Sequence, residues 1–501
     1  MIMISVKSLK RYFSILVIIF LGIVNFNLFA QQQPNIIYIY ADDLGYGELG
    51  VYGQQIIRTP HLDKMASEGM RFTQHYSSAP VCAPSRCMLM TGKHGGHSYI
   101  RGNYELGGFA DDEEGGQMPL HEGAYTVAHM LKSKGYATGM FGKWGMGVTG
   151  TTGSPLQHGF DYYYGYLDQK QAHNYYPTHL WENDSLVKLK NEPFNVHSKL
   201  DPSTATSKDF EKFTGVEYAP EKMTGKAIEF MRKNMDKPFF LYLPYTLPHL
   251  ALQAPREHVM KYVGQFEDTP YYGEKGYSPA QYPRATYAAM ISFLDEQVGI
   301  VLAQLKALGL DDNTIVLFSS DNGATFSDAV DHRFFKSNGE LRGYKMDLYE
   351  GGIRVPFIAR WPGKIKAGQI SNHVGVQYDM MPTLAELTGV KLQYTDGISL
   401  LPTLLGNGNQ QQHPFLYFEY PENNGWLSVR IGNWKGIKKK LKNGNAEWEL
   451  YNIADDSKEQ NNLAALYPEK LKEMDAILQR EHQHPHVLDW EIVDPKVKKK
   501  N

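Results

Sequence analysis

Two apolar segments far apart in the chain each run straight into acidic or amide side chains. The first, Asn35 to Tyr40, is a continuous β-branched and aromatic run that reads as a buried strand, and it passes into Ala41-Asp42-Asp43-Leu44-Gly45. The second, Thr314 to Phe318, passes into Ser319-Ser320-Asp321-Asn322-Gly323. Open α/β sheets place their sites at the carboxyl ends of buried strands. Two strands that end in oxygen-bearing side chains could therefore converge on one cation.

Between these strands the pattern alternates helix and strand. Tyr125 to Lys134 has helical spacing and precedes a short strand at Gly135 to Phe141, and Phe239 to Leu243 is another strand. Thr286 to Leu308 carries apolar residues at three- and four-residue spacing, the mark of a long amphipathic helix feeding the Thr314 strand. Val355 to Ile358 is a further strand, ended by Trp361-Pro362-Gly363. Such alternation predicts an α/β fold with a mostly parallel sheet between layers of helices. The stretch 145–214 is rich in Gly, Tyr, His and Asn without a clear period, which predicts loops over the site. Beyond Gly406 the character changes: Phe415 to Tyr420, Leu427 to Ile431, Trp434 to Ile437 and Trp448 to Tyr451 read as short strands joined by turns, followed by a helix at Pro468 to His482. The expected organisation is a leader over 1–30, a catalytic domain over 31–406, a small antiparallel sheet with a helix over 407–490, and a charged tail over 491–501.

With 501 residues, 42% hydrophobic and 21% charged, the chain can bury a large core, and its net charge of -3 provides no basic field for nucleic acid. Lys7, Lys10 and Arg11 precede an apolar run from Tyr12 to Phe29, and Ala30 is followed by three glutamines. This reads as a cleaved signal peptide, which predicts export to the periplasm or beyond and no stable membrane insertion afterwards; the competing reading is a single membrane anchor. The chain has two cysteines, Cys82 and Cys87, so a disulfide framework is excluded.

Cys82 opens Cys82-Ala83-Pro84-Ser85-Arg86, followed by Cys87-Met88-Leu89-Met90-Thr91-Gly92-Lys93. Here the chain resembles the type I sulfatases of the alkaline-phosphatase superfamily, and particularly bacterial polysaccharide sulfatases. In that family the first cysteine of C-x-P-S-R is oxidised to formylglycine (3-oxoalanine). Further matches follow in order: Asp42-Asp43-Leu44-Gly45, Gly142-Lys143-Trp144, Pro248-His249, Ser320-Asp321-Asn322-Gly323, Leu341-Arg342-Gly343-Tyr344-Lys345, and Glu350-Gly351-Gly352-Ile353-Arg354-Val355-Pro356. The resemblance implies an alkaline-phosphatase-like fold, a formylglycine-generating maturation enzyme as partner, and Ca2+, with Mg2+ as the alternative, held by Asp42, Asp43, Asp321, Asn322 and the modified Cys82. It gives Arg86, Lys93, Lys143 and Lys345 the work of neutralising the sulfate and the formylglycine hydrate, and His249 that of general acid.

The residue types suit this chemistry. Hydrolysis of a sulfate monoester needs a protonated leaving oxygen, neutralised non-bridging oxygens and an in-line nucleophile. Three carboxylates and an amide oxygen make a hard shell suited to Ca2+ or Mg2+ and poor for zinc. The chain departs from the family at Gly145, where a histidine usually follows G-K-W. His94 and His97 are the nearest replacements in sequence, His97 being preferred. The segment Asp161 to Trp181, with His173 and Asn174, reads as an aromatic and polar platform for sugars, and Arg101, Asn103, Tyr104 and Glu105 as further substrate contacts. The expected substrate is a sulfated polysaccharide or its oligosaccharides. The alternatives are a phosphate or phosphonate ester hydrolase of the same superfamily and a glycan-binding homologue impaired in catalysis. Gly45-Tyr46-Gly47-Glu48-Leu49-Gly50 matches a dinucleotide fingerprint in form alone, because Asp42, Asp43 and Glu48 would repel a pyrophosphate.

Overall fold

The computed structural model describes residues 33–494 apart from 326, 328 and 445. The expected leader and the end of the charged tail lie outside the described residues. Sixteen strands are described: β1 (Asn35–Ala41), β2 (Met70–Tyr76), β3 (Glu105–Gly107), β4 (Glu114–Gln117), β5 (Ala137–Lys143), β6 (Tyr162–Tyr166), β7 (His179–Glu182), β8 (Ser185–Lys188), β9 (Phe239–Pro244), β10 (Thr314–Ser320), β11 (Arg354–Arg360), β12 (Gln369–Val376), β13 (Leu416–Tyr420), β14 (Trp426–Ile431), β15 (Trp434–Lys439) and β16 (Trp448–Asn452). The helices that matter below are α1 (Cys82–Thr91), α2 (Ala219–Lys233), α3 (Pro283–Ala307), α4 (Met380–Thr388) and α5 (Pro468–Glu481).

Ten strands form one sheet in the order β12-β2-β11-β10-β1-β9-β5-β6-β7-β8. Its centre, β10-β1-β9-β5-β6, is parallel throughout. Antiparallel strands extend it on both sides, β11 beside β10 and β7 beside β6. The alternating side chains of β1 show why a continuous apolar run is needed here. Ile37 and Ile39 join a core with α2 and α3 on one face, whereas Ile36, Tyr38 and Tyr40 join a core with α1 and α4 on the other.

The parallel register decides where the polar ends fall. Ala41 pairs with Ser320, and Tyr40 with Pro244, so β1, β10 and β9 finish level with one another. Past the strands, Asp321 N–H donates to Ala41 O at 3.1 Å and Asp42 N–H to Leu247 O at 2.9 Å, which carries the pairing into the loops.

The stretch 145–214 corrects the expectation of loops. It contains β6, β7 and β8, which widen the sheet. Tyr163 to Tyr166 are buried, so the strand shows no polar alternation from which its period could be read. The second sheet, β13-β14-β15-β16, is antiparallel as expected. One face packs on Met474, Ile477 and Leu478 of α5, and the other on Tyr76, Tyr349 and Tyr378 of the larger part. Glu491 and Ile492, assigned to a solvated tail, are buried. Their place in the core, with Glu491 held by His482, moves the start of any free tail beyond them.

Candidate active site

Asp42 and Asp43 leave β1, Asp321 and Asn322 leave β10, Lys143 ends β5, and His249 follows β9. All of them are buried. Asp43 takes a left-handed conformation with φ 63°, one that Asp tolerates better than most residues. Its N–H donates to Asp321 Oδ1 at 3.0 Å, and Asn322 Nδ2 donates to Asp43 Oδ1 at 2.8 Å. The two strand ends are thereby locked together.

Cys82 begins α1 and is 2% exposed. Its Sγ lies 3.3 Å from Asp42 Oδ1 and 3.6 Å from Lys345 Nζ. Arg86, one turn further along α1, donates to Asp321 Oδ2 at 2.8 Å and to the Lys143 carbonyl at 2.7 Å. Lys143 Nζ donates to Asp42 Oδ2 at 2.8 Å, and Lys345 Nζ to Asp43 Oδ2 at 2.9 Å. Gln377 is a brace with no local signal in the sequence. Its Oε1 accepts from Ser85 Oγ at 2.9 Å and Tyr40 Oη at 2.5 Å, and its amide donates to the Ser320 carbonyl, tying α1 to β1 and β10.

Burial alone pushes Asp42 upward, but Lys143, His249, Arg86 and Lys345 outweigh it and hold the carboxyl well below its usual range. Asp321 is pushed the other way, to about 7, by burial and then by the charge of Asp42, against Arg86. Crowded like charges of this kind invite a cation. Asn322 Oδ1 is buried and has no hydrogen-bond partner among the described residues, the state of an amide oxygen awaiting a ligand. The donor set of Asp42, Asp43, Asp321 and Asn322 thus fits a hard divalent cation. Three carboxylates face three cationic side chains, so such an ion leaves the site net positive and ready for an anion.

Burial, followed by Asp42, pushes the Cys82 thiol well above its ordinary pKa. A thiol held protonated is a poor nucleophile. His249 is driven down to about 4, first by burial and then by Lys345. Its Nδ1 faces the Leu250 carbonyl at 2.5 Å and therefore carries a proton, which leaves Nε2 to accept from Lys345 Nζ at 3.1 Å. Lys345 and His249 together hold one transferable proton beside Cys82.

The remaining candidates divide. His173 stacks on His249 with centroids 4.8 Å apart, and its Nδ1 has no hydrogen-bond partner among the described residues. Burial, then His249, Lys143, His197 and Lys345, hold it far below its normal pKa, so it is a neutral imidazole at the edge of the cluster. Asn103 is also close, its Oδ1 accepting the Ala83 N–H at 3.0 Å.

Five others are placed elsewhere. Lys93 stands just past the opposite end of α1, about 15 Å of helix away from Cys82, where its charge acts on Cys87 and His121. His97 is taken by Asp396 at 3.0 Å and stacks on His94, which is itself taken by Glu481 at 3.2 Å. Both histidines belong to the joint with α5, so neither replaces the histidine missing at Gly145. Arg101 spends its nitrogens on Ser98 O, Glu419 Oε2 and Gly96 O at 2.8–3.0 Å. Asn174 Oδ1 accepts Tyr176 N–H, which closes its own loop. The sequence also missed Tyr277, which lies among His173, His197 and His249.

Gly145 itself has φ +79°, and a side chain there would meet the Gln169 side chain at 3.1 Å. The glycine suits its backbone, and Gln169 fills the space in front of it.

This arrangement coincides with a known one. Residues 34–390 match the family model described as Sulfatase, and residues 339–484 match that of N-sulphoglucosamine sulphohydrolase, C-terminal. The chain belongs to the sulfatase family. It is a type I sulfatase of the alkaline-phosphatase superfamily and hence a sulfuric ester hydrolase. Mouse N-acetylgalactosamine-6-sulfatase is 32% identical over 421 residues, 81% of this chain and 72% of the relative. Rat steryl-sulfatase is 31% identical over 439 residues, 77% of this chain and 72% of the relative. The solved structure of Ps i-CgsB superposes with a TM-score of 0.76 at 28% identity, over 94% of this sulfatase and 99% of that chain.

Proposed function

We propose that this sulfatase is exported and removes sulfate from a sulfated polysaccharide or its oligosaccharides, after a maturation enzyme has oxidised Cys82 to formylglycine. Support for a glycan comes from its relatives: Ps i-CgsB is known in complex with k-i-k-neocarrahexaose, and the mouse relative is named for a sulfated amino sugar. Support for export is the basic-then-apolar pattern of the first thirty residues.

The observation that carries the reading is the meeting of Cys82 with Asp42 and Lys345 at 3.3 and 3.6 Å, beside an unpartnered Asn322 oxygen. Ca2+, or Mg2+ in its place, would be held by Asp42, Asp43, Asp321 and Asn322 and would supply charge neutralisation and orientation of the modified residue 82. The side chains do the rest. Lys143 and Lys345 face the sulfate oxygens, and Arg86 fixes the direction of α1 by gripping Asp321. The Lys345–His249 pair delivers its proton to the departing sugar oxygen through His249 Nε2. His173, neutral and partly unpartnered, takes the place the sequence assigned to His97 as the base nearest the sulfated group.

The test is release of free sulfate from carrageenan and glycosaminoglycan oligosaccharides by the matured protein. Release that disappears with a chelator and in Cys82→Ala supports the reading. Phosphate release from phosphomonoesters without sulfate release would move it to the phosphohydrolase branch.

A further inference from the structure

His249 stands on a turn rather than on a strand. β9 ends at Pro244, and the chain then turns, with His249 N–H donating to Thr246 O at 3.0 Å. On one side this turn is tied to the end of β1, because Asp42 N–H donates to Leu247 O at 2.9 Å. On the other side the tie is Tyr175. Its hydroxyl is shared between Thr246 O at 2.5 Å and His249 O at 2.6 Å.

Tyr175 falls in the aromatic segment that reads as a sugar platform, but it is 0% exposed and cannot serve as one. Its ring stacks on Tyr218 with centroids 5.6 Å apart, and its N–H donates to Gln253 Oε1 at 2.9 Å. Gln253 is fixed in turn: its Nε2 donates to Phe213 O at 2.6 Å, and its carbonyl accepts from Tyr218 Oη at 2.8 Å. The phenol is therefore a rigid strut with a buried hydroxyl at its tip. A buried phenol keeps its O–H by finding an acceptor, and both acceptors here belong to the backbone that carries His249.

We propose that Tyr175 is a positioning residue for proton transfer, its hydroxyl setting how far His249 Nε2 stands from the departing sugar oxygen. The inference rests on the sulfatase reading and adds to it a residue that never touches the substrate. Leu250 O at 2.5 Å and Lys345 Nζ at 3.1 Å hold the two imidazole nitrogens, and these contacts fix the rotation of the ring. The position of the whole residue comes from the backbone ties, to β1 through Leu247 and to the strut through Tyr175. Without the hydroxyl the turn keeps the first tie alone, and its two buried carbonyls lose this donor. A general acid works only within hydrogen-bond reach of the oxygen it protonates, and a shift of about 1 Å lowers the rate about a hundredfold.

The experiment measures kcat and KM of the matured full chain on a sulfated sugar that the wild type hydrolyses, for wild type, Tyr175→Phe, His249→Ala and the double variant. Tyr175→Phe keeps the ring packing and removes the hydroxyl. It is expected to lower kcat about 10- to 100-fold and to change KM less than about twofold. In the His249→Ala background the same substitution should change kcat less than about threefold, because the residue it positions is gone. Tyr175→4-aminophenylalanine, which restores an N–H donor at the tip, should recover most of the lost kcat. Equal losses in both backgrounds, no loss in the first, or no recovery with the restored donor overturns the positioning role and leaves the sulfatase reading intact. Should Tyr175→Phe prove insoluble, Gln253→Met loosens the strut from its other end, and the same cycle with His249→Ala decides. No sulfate release from any sugar by the matured wild type sinks the sulfatase reading itself.

Discussion

Replacing Arg101 by Met tests whether this residue holds the fold or meets the substrate. Read from its position after the cysteine motif, it is a substrate contact; in the structure it is 2% exposed and pairs with Glu419 at 2.8 Å, with 3% and 0% of the two side chains exposed. Replacing it by Met keeps the stem and removes the charge. Breaking one side of a buried ion pair costs roughly 3–5 kcal/mol, because the other charge is left behind. Glu419 keeps the His482 imidazole at 2.7 Å and the Tyr417 hydroxyl at 2.5 Å, so the lower end applies, about 3 kcal/mol. For a chain of 501 residues the unfolding entropy is about 1 kcal/mol/K, which turns that loss into a Tm drop of about 3 °C. Scanning calorimetry and initial rates on the same samples decide the matter. The expected result is a lowered Tm with KM unchanged. An unchanged Tm with KM raised tenfold would refute the structural role and return Arg101 to the substrate.

Gly142→Ala should abolish soluble expression or lower Tm by several degrees, since φ is +149° and an added methyl would lie 1.9 Å from the Pro244 carbonyl across the β5–β9 pair. Calorimetry of a recovered variant with wild-type Tm would contradict this. Cys87→Ser, by contrast, should mature and turn over normally, because Cys87 is buried on the far side of α1 and its Sγ meets the Ser98 hydroxyl at 3.5 Å. Loss of maturation there would show that both cysteines are needed. For His482, burial lowers the pKa, but Glu419 and Glu491 outweigh it and raise it to about 9. Its contribution to stability is fully present below about pH 6.5 and is lost as pH rises through about 9. The Tm penalty of His482→Gln should accordingly be largest near pH 6 and shrink by pH 10, and a penalty that grows with pH would contradict the assignment.

The core strands and the candidate metal ligands were legible because physics leaves few alternatives. Residues 35–40 are apolar on both faces, so they demand a central strand, and Asp42-Asp43 directly after it mark a strand-end site. The same logic located Asp321 and Asn322, and the turn-bounded runs after Gly406 gave the small sheet almost strand for strand. What stayed hidden depended on long-range pairing. Strand β2, with its mixed sequence MRFTQHY, exists because it pairs with β11 on one side and β12 on the other, and β12 because it pairs with β2, not because of any local period. Side-chain direction was equally unreadable. His97 and His173 look alike in sequence, yet Asp396 claims the first, and stacking on His249 brings the second to the site. Lys93 was assigned from its match to the family's segment after the cysteine motif, and the helix Cys82–Thr91 carries it away from Cys82.

The central claim is that residue 82 acts as an aldehyde within a site that holds a divalent cation. It is tested most directly by mass spectrometry of the peptide containing residue 82, from protein co-produced with a formylglycine-generating enzyme, together with sulfate release by the same preparation. The account predicts a peptide that has lost one sulfur and two hydrogens and gained one oxygen, with sulfate release proportional to the converted fraction and abolished by a chelator. Sulfate release by protein whose Cys82 remains an intact thiol would contradict it.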